Sequence, residues 1–239
     1  MREKQSKHGD IPEDGHGNDR SQNASGDGVP TSGDTPVGSG WSATNPNGRV
    51  SRISDATAPQ SASNVMEWYF PAGFTGGNYP GQFYYPASGT KGHYVGYWFK
   101  YSNPFDMGPG NKQWYPYSTN ANFFMSVTSS WKMKMEVQAG AGYGGTYNLF
   151  ANVSDPTITR GVWHRMEILQ VYPSTSSTNN GVFKWWIDGV LCGNYTNVGW
   201  NTSASYQELR LSPVWGSFSS DVVAYSGRWW VDHIHISKP

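Results

Sequence analysis

Along Gly161-Val162-Trp163-His164-Arg165-Met166-Glu167-Ile168-Leu169-Gln170-Val171-Tyr172, the residues Trp163, Arg165 and Glu167 alternate with His164, Met166 and Ile168. Successive side chains of an extended chain point to opposite faces, so the two sets separate. With the second set packed inward, a cation, a carboxylate and an indole share an outer surface. That combination suits sugars, because indole faces stack on the C–H faces of sugar rings and charged heads bind hydroxyls, carboxylates or sulfates. A polar Ser/Thr/Asn stretch then leads into Gly181-Val182-Phe183-Lys184-Trp185-Trp186-Ile187, which stops at Asp188-Gly189, a tight-hairpin signal.

The same alternation extends the outward set. If Phe183, Trp185 and Ile187 pack inward, Lys184 and Trp186 point out; if Leu209 and Leu211 do, Glu208 and Arg210 point out; if Tyr97 and Phe99 do, Trp98 and Lys100 point out. Gly108–Tyr117 reads as an ordered loop whose Lys112, Trp114, Tyr115 and Tyr117 either wall one end of a groove or only cover a sheet edge. The expected ligand-contacting residues are therefore Trp98, Lys100, Lys112, Trp114, Arg165, Glu167, Lys184, Trp186 and Arg210. The plainer alternative is a solvated sheet face with cross-strand ion pairs, Arg165 with Glu208 for instance.

Val65–Phe70, His93–Tyr101, Asn122–Val127, Lys132–Ala139, Tyr147–Val153, Trp163–Tyr172, Val182–Asp188, Tyr206–Leu211 and Arg228–Ile236 read as strands. Their spacing predicts an all-β, two-sheet antiparallel sandwich or jelly roll over residues 46–239. Residues 1–40 contain no Phe, Tyr or Trp, so residues 1–45 are expected to be a disordered tail or tether to a larger assembly. Lys plus Arg equals Asp plus Glu at 17 each, which argues against a duplex nucleic-acid binder. No apolar run is long enough for a membrane span, the N-terminus lacks the apolar core of a signal peptide, and the lone Cys192 excludes an internal disulfide framework. An extracellular or surface location is the expectation.

Ser61-Ala62-Ser63-Asn64-Val65-Met66-Glu67-Trp68 leads into Pro71-Ala72-Gly73-Phe74-Thr75-Gly76-Gly77, followed by Tyr94-Val95-Gly96-Tyr97-Trp98-Phe99-Lys100-Tyr101-Ser102. With Trp163–Glu167, Trp186-Ile187-Asp188-Gly189 and Trp229-Trp230-Val231-Asp232, this order resembles the concanavalin A-like lectin/glucanase jelly roll, in particular its polysaccharide-lyase-like branches. The resemblance runs from about residue 50 to the C-terminus. It implies two stacked sheets with a saccharide groove on the concave one. It also implies a structural Ca²⁺ on the convex side, with Asp232 as the carboxylate from the last strand and backbone carbonyls beside it. Asp232 receiving only backbone hydrogen bonds is the equal alternative.

The glucanase run Glu-x-Asp-x-x-Glu is absent, as are the alginate-lyase signatures Arg-x-Glu-x-Arg and Gln-Ile-His. Glu167 and Glu208 could meet across neighbouring strands as a carboxylate pair. A lyase needs a base and a group that neutralises a uronate carboxylate; Tyr94, Tyr97, His93, His164, Lys100, Arg165 and Arg210 supply these types. His233 and His235 share a strand face by spacing, as half of a metal site or, more simply, as a solvated pair. Three function classes follow: a carbohydrate-binding module, a lyase acting on uronate polymers, and a structural surface or virion-decoration protein.

Overall fold

The computed structural model describes residues 41–44, 48–118, 121–139, 146–175, 177–199 and 206–237. The expected tail over residues 1–40 lies outside these. Residues 41–44, grouped with the tail by composition, belong to the folded domain: Trp41 and Ala43 are buried and Ser42–Thr44 forms a strand.

The described residues form fifteen strands and no helix. They are β1 (Ser42–Thr44), β2 (Val50–Ile53), β3 (Val65–Phe70), β4 (Gln82–Pro86), β5 (Gly92–Tyr101), β6 (Gly110–Lys112), β7 (Trp114–Ser118) and β8 (Ala121–Thr128). They continue as β9 (Met133–Ala139), β10 (Thr146–Phe150), β11 (His164–Val171), β12 (Gly181–Ile187), β13 (Val190–Val198), β14 (Tyr206–Leu211) and β15 (Gly227–Ser237). The nine strands expected from sequence all form, with ends shifted by at most three residues.

One layer is a seven-stranded antiparallel sheet in the order β13-β12-β11-β5-β15-β3-β2. The other combines two four-stranded sheets, β1-β4-β14-β7 and β10-β9-β8-β6. These abut beside β7 and β8, where the Gln113 N–H donates to the Met125 carbonyl at 2.8 Å. Pro116 in β7 pairs with Leu209 on one side and offers no N–H on the other, which suits a position where a ladder stops.

Burial follows the alternation. In β11, His164, Met166, Ile168 and Gln170 are buried and the residues between them half-buried; β12 behaves alike, with Phe183, Trp185 and Ile187 inward. Asp188 and Gly189 both have positive φ, 52° and 77°, as the two-residue turn between β12 and β13 requires. A β-carbon at Gly193 would stand 2.1 Å from the Trp185 ring, so the packing of that indole needs glycine on the neighbouring strand.

Aromatic contacts join the layers. Trp68 meets Phe83 edge-on at 5.5 Å and Phe123 lies 5.1 Å from Phe183. A polar seam runs through the same interior: the Tyr97 hydroxyl donates to Gln113 Oε1 (2.9 Å), Gln113 Nε2 to the Tyr101 hydroxyl (3.1 Å), and that hydroxyl to Asn111 Oδ1 (2.8 Å). Buried polar groups persist when paired in this way, and here the pairing ties β5 to the chain segment carrying Lys112. Among the described residues no helix is long and apolar enough to cross a membrane.

Candidate functional site

The outward residues expected from sequence fall on two different surfaces. Trp98, Arg165, Glu167, Lys184 and Trp186 belong to the seven-stranded sheet, while Lys112, Glu208 and Arg210 belong to the opposite layer. The Arg165–Glu208 pair does not form, and Glu167 and Glu208 do not meet across neighbouring strands: β11 lies between β12 and β5, whereas β14 lies between β4 and β7. A retaining carboxylate pair is therefore absent at these two residues.

Other expectations are corrected by burial. Trp114 is fully buried, its indole N–H donating to His93 Nε2 at 3.0 Å, so it walls no groove. Tyr97 is a core residue bound to Gln113. His164 is held on the inner side: the Thr159 N–H donates to its Nε2 (3.0 Å) and its Nδ1 lies 2.7 Å from Asp188 Oδ2. Lys100 is covered by the segment before β3. Its ammonium is bound to Asp55 and Thr57 and stands 4.8 and 4.9 Å from the Trp163 and Trp230 ring centroids. Burial pushes the Asp55 carboxyl up, but the hydrogen bonds from Lys100 and Thr57 outweigh it and hold the group at about 2.

Around Arg210 a row of side chains crosses the second layer in register. Ser42 pairs with Tyr84, Tyr84 with Arg210, and Arg210 with Tyr115. The Tyr115 ring lies 4.8 Å from that of Phe124 across the β7–β8 boundary; Phe124 pairs with Glu136, and Glu136 with Asn148. Seven strands thus contribute one residue each. The Arg210 guanidinium lies 4.3 Å from the Tyr117 centroid, 5.2 Å from Tyr84 and 5.7 Å from Tyr115. Its Nε and Nη2 both donate to Glu208 Oε2 at 2.8 Å. Three phenols and a carboxylate therefore fix a planar cation whose further N–H groups can meet an anion.

A second row flanks the first. Lys112 pairs with Ser126 and Ser126 with Lys134. The Lys112 ammonium stands 4.5 Å over the Phe124 ring, and Lys134 binds Glu136 Oε2 (3.2 Å) and Asn148 Oδ1 (2.9 Å). Burial lowers the Lys112 pKa; Glu136 opposes that shift and Lys134 adds to it. Burial raises the Tyr115 phenol, with Arg210 acting against the shift. A lysine displaced toward its neutral form, a phenol displaced toward its protonated form and a fixed guanidinium thus share one surface. Spacing alone singles out neither Tyr84 nor Lys134, and it places the groove-wall candidates Tyr115 and Tyr117 in a loop, whereas both lie on β7.

Asp232 is buried in β15. Its Oδ2 accepts the N–H groups of Gln60 (2.7 Å) and Ser61 (3.1 Å), while Oδ1 has no hydrogen-bond partner. A buried carboxylate oxygen left open in this way fits a hard cation, with Asp232 as the single charged ligand. Among the described residues no three His, Cys, Asp or Glu side chains group to hold a metal. His233 has φ 49° and the β15–β5 ladder skips from Asp232 to His235, which breaks the alternation on which a shared face for His233 and His235 depends.

No family model matches the chain, and no curated protein matches it. Solved structures do. An alginate lyase in complex with alginate trisaccharide superposes with a TM-score of 0.62 at 14% identity, over 80% of this chain and 85% of that one. An endo-β-1,4-glucuronan lyase from the fungus Trichoderma reesei gives 0.58 at 15% identity, over 80% and 87%. An alginate lyase from a Chlorella virus gives 0.57 at 12% identity, over 80% and 94%. The chain thus has the concanavalin A-like jelly-roll fold of these polysaccharide lyases, in agreement with the resemblance in its motifs.

Proposed function

We propose that this protein is carbohydrate-active and binds a uronate-containing polysaccharide along the Tyr84–Arg210–Tyr115 row. The observation that carries the reading is the placement of Arg210. Its guanidinium is flanked by three tyrosines and oriented by Glu208, yet it lies on an outer sheet face. A uronate carboxylate would take the remaining N–H groups while the phenol rings receive sugar C–H faces. Lys112 and Lys134 extend the positive character along the surface, which suits a polymer with an acid group on successive residues. The superposed alginate and glucuronan lyases support this substrate class, and a polymer substrate suits a location outside the cell.

The lowered pKa of Lys112 favours one further step, β-elimination. Neutral Lys112 would remove the C5 proton of a uronate whose carboxylate is held by Arg210. The electron pair forms the C4–C5 double bond, the C4–O bond breaks, and a phenol such as Tyr115 supplies the proton to the leaving oxygen. Incubation with alginate and with polyglucuronate tests both levels. Binding with growth of near-ultraviolet absorbance supports the lyase; binding without it leaves a carbohydrate-binding protein; no binding to either polymer rejects the uronate reading.

A further inference from the structure

The opposite surface carries a second arrangement that the uronate reading does not use. On the outer face of the seven-stranded sheet, Trp98 in β5 pairs with Arg165 in β11, and the next outward row places Gly96, Glu167 and Trp186 side by side on β5, β11 and β12. Trp98 and Trp186 therefore differ by two strand spacings and two residues along the strand. This sets their α-carbons roughly 12 Å apart, about the length of two rings in an extended sugar chain.

The ground between them is polar and bound together. The Tyr94 hydroxyl donates to Glu167 Oε1 at 2.5 Å, Arg165 Nη2 donates to the same oxygen at 3.4 Å, and the Arg165 guanidinium stands 6.0 Å from the Trp98 centroid. Gly96 lies beneath this group: a β-carbon there would be in ordinary contact with the Tyr94 hydroxyl at 3.5 Å and with Arg165 Nη2 at 3.8 Å, so both groups close over the glycine. Burial, followed by the bond to Glu167, pushes the Tyr94 phenol up to about 12, and it remains a neutral donor. Trp98, Trp186, Arg165 and Glu167 are all partly exposed.

We propose that this face is a second glycan-binding platform, specific for a neutral, extended β-1,4-linked chain. The two indoles would take the C–H faces of rings about two units apart, and the Arg165–Glu167–Tyr94 group would bind the hydroxyls between them. Neutrality follows from the charge balance: Arg165 and Glu167 between the indoles cancel, whereas the row around Arg210 sets Arg210, Lys112 and Lys134 against Glu208 and Glu136. Since the two surfaces lie on opposite layers, the platform does not depend on the uronate site.

Affinity electrophoresis of the full chain in gels containing hydroxyethylcellulose tests the proposal, with alginate gels as the parallel arm. The wild type should be retarded by hydroxyethylcellulose. Trp186→Ala and Trp98→Ala should each weaken that retardation at least tenfold in affinity, leaving behaviour in alginate unchanged, while Arg210→Ala should do the reverse. Thermal melting checks that each variant is folded; should one tryptophan variant not fold, the other, on a separate strand, gives the answer. No retardation of the wild type overturns the platform, as does equal retardation of a folded Trp186→Ala. Equal loss in both gels from a tryptophan variant also overturns it, because one shared site would then serve both polymers.

Discussion

The Arg210 guanidinium carbon lies 4.3 Å from the centroid of the Tyr117 ring, on the strand directly hydrogen-bonded to its own. Cation and ring face meet at a distance at which the ring quadrupole attracts the charge. Glu208, two residues before Arg210 on the same face, fixes its orientation through two donors on one oxygen. The cation is thus oriented before any ligand arrives, which reduces the ordering cost of binding.

In the proposed elimination Lys112 is the base. Lys112→Met keeps much of the side-chain bulk over Phe124 and removes the base. It should lower product formation from a polyuronate at least a hundredfold while changing affinity by less than tenfold, the signature of a group acting in the chemical step. Equal rates in variant and wild type, followed by near-ultraviolet absorbance, would exclude Lys112 as base.

His93 should make stability sensitive to acid. It is fully buried, and burial holds its pKa down at about 3, with Gln170 opposing the shift. Between the ordinary value of 6.5 and about 3, the unfolded chain binds a proton that the folded chain does not. The contribution is complete above pH 6.5 and declines as pH falls, by about 2 kcal/mol at pH 5. Denaturant melts at pH 7 and pH 5 should show this loss, and His93→Gln should have a flatter profile between them. A wild-type midpoint unchanged between the two pH values would contradict it.

Chelation addresses Asp232. If a calcium ion completes the open Oδ1, removing it should lower the melting temperature of the wild type, because a ligand bound only by the folded state stabilises it by mass action. Asp232→Asn should respond less, and neither His233 nor His235 should be needed. Identical wild-type curves in chelator and in millimolar calcium would show that backbone donors alone satisfy this carboxylate.

Trp114→Ala separates the core from the site. The indole is fully buried between the layers, so its removal should cost about 3–5 kcal/mol in chemical denaturation, far more than Tyr115→Ala on the outer face next to it. A near-neutral Trp114→Ala would contradict the burial.

That contrast marks how much was legible in the residues. Alternation placed Met166, Ile168, Phe183, Trp185, Leu209 and Leu211 inside correctly, since hydrophobic period 2 reports the inner face directly. It says nothing of which sheet a strand joins, so it groups Arg165 and Arg210, both outward, on one surface although they occupy opposite ones. Around Lys112 the alternation itself breaks. Gln113 and Trp114 are consecutive and both fully buried, because Gln113 links β6 to β7 and Trp114 begins the new strand. Gln113 is drawn inward by Tyr97 and Tyr101, partners more than ten residues away that no local pattern reveals.

If Arg210 anchors a uronate polymer on the outer face of the second layer, its removal must weaken binding without unfolding the chain. Isothermal titration of the full chain with alginate oligosaccharides, wild type against Arg210→Ala, tests it most directly. Loss of a charge-assisted contact should weaken binding by about 10- to 100-fold, with cooperative unfolding retained. A folded Arg210→Ala that binds these oligosaccharides as tightly as the wild type would contradict the account.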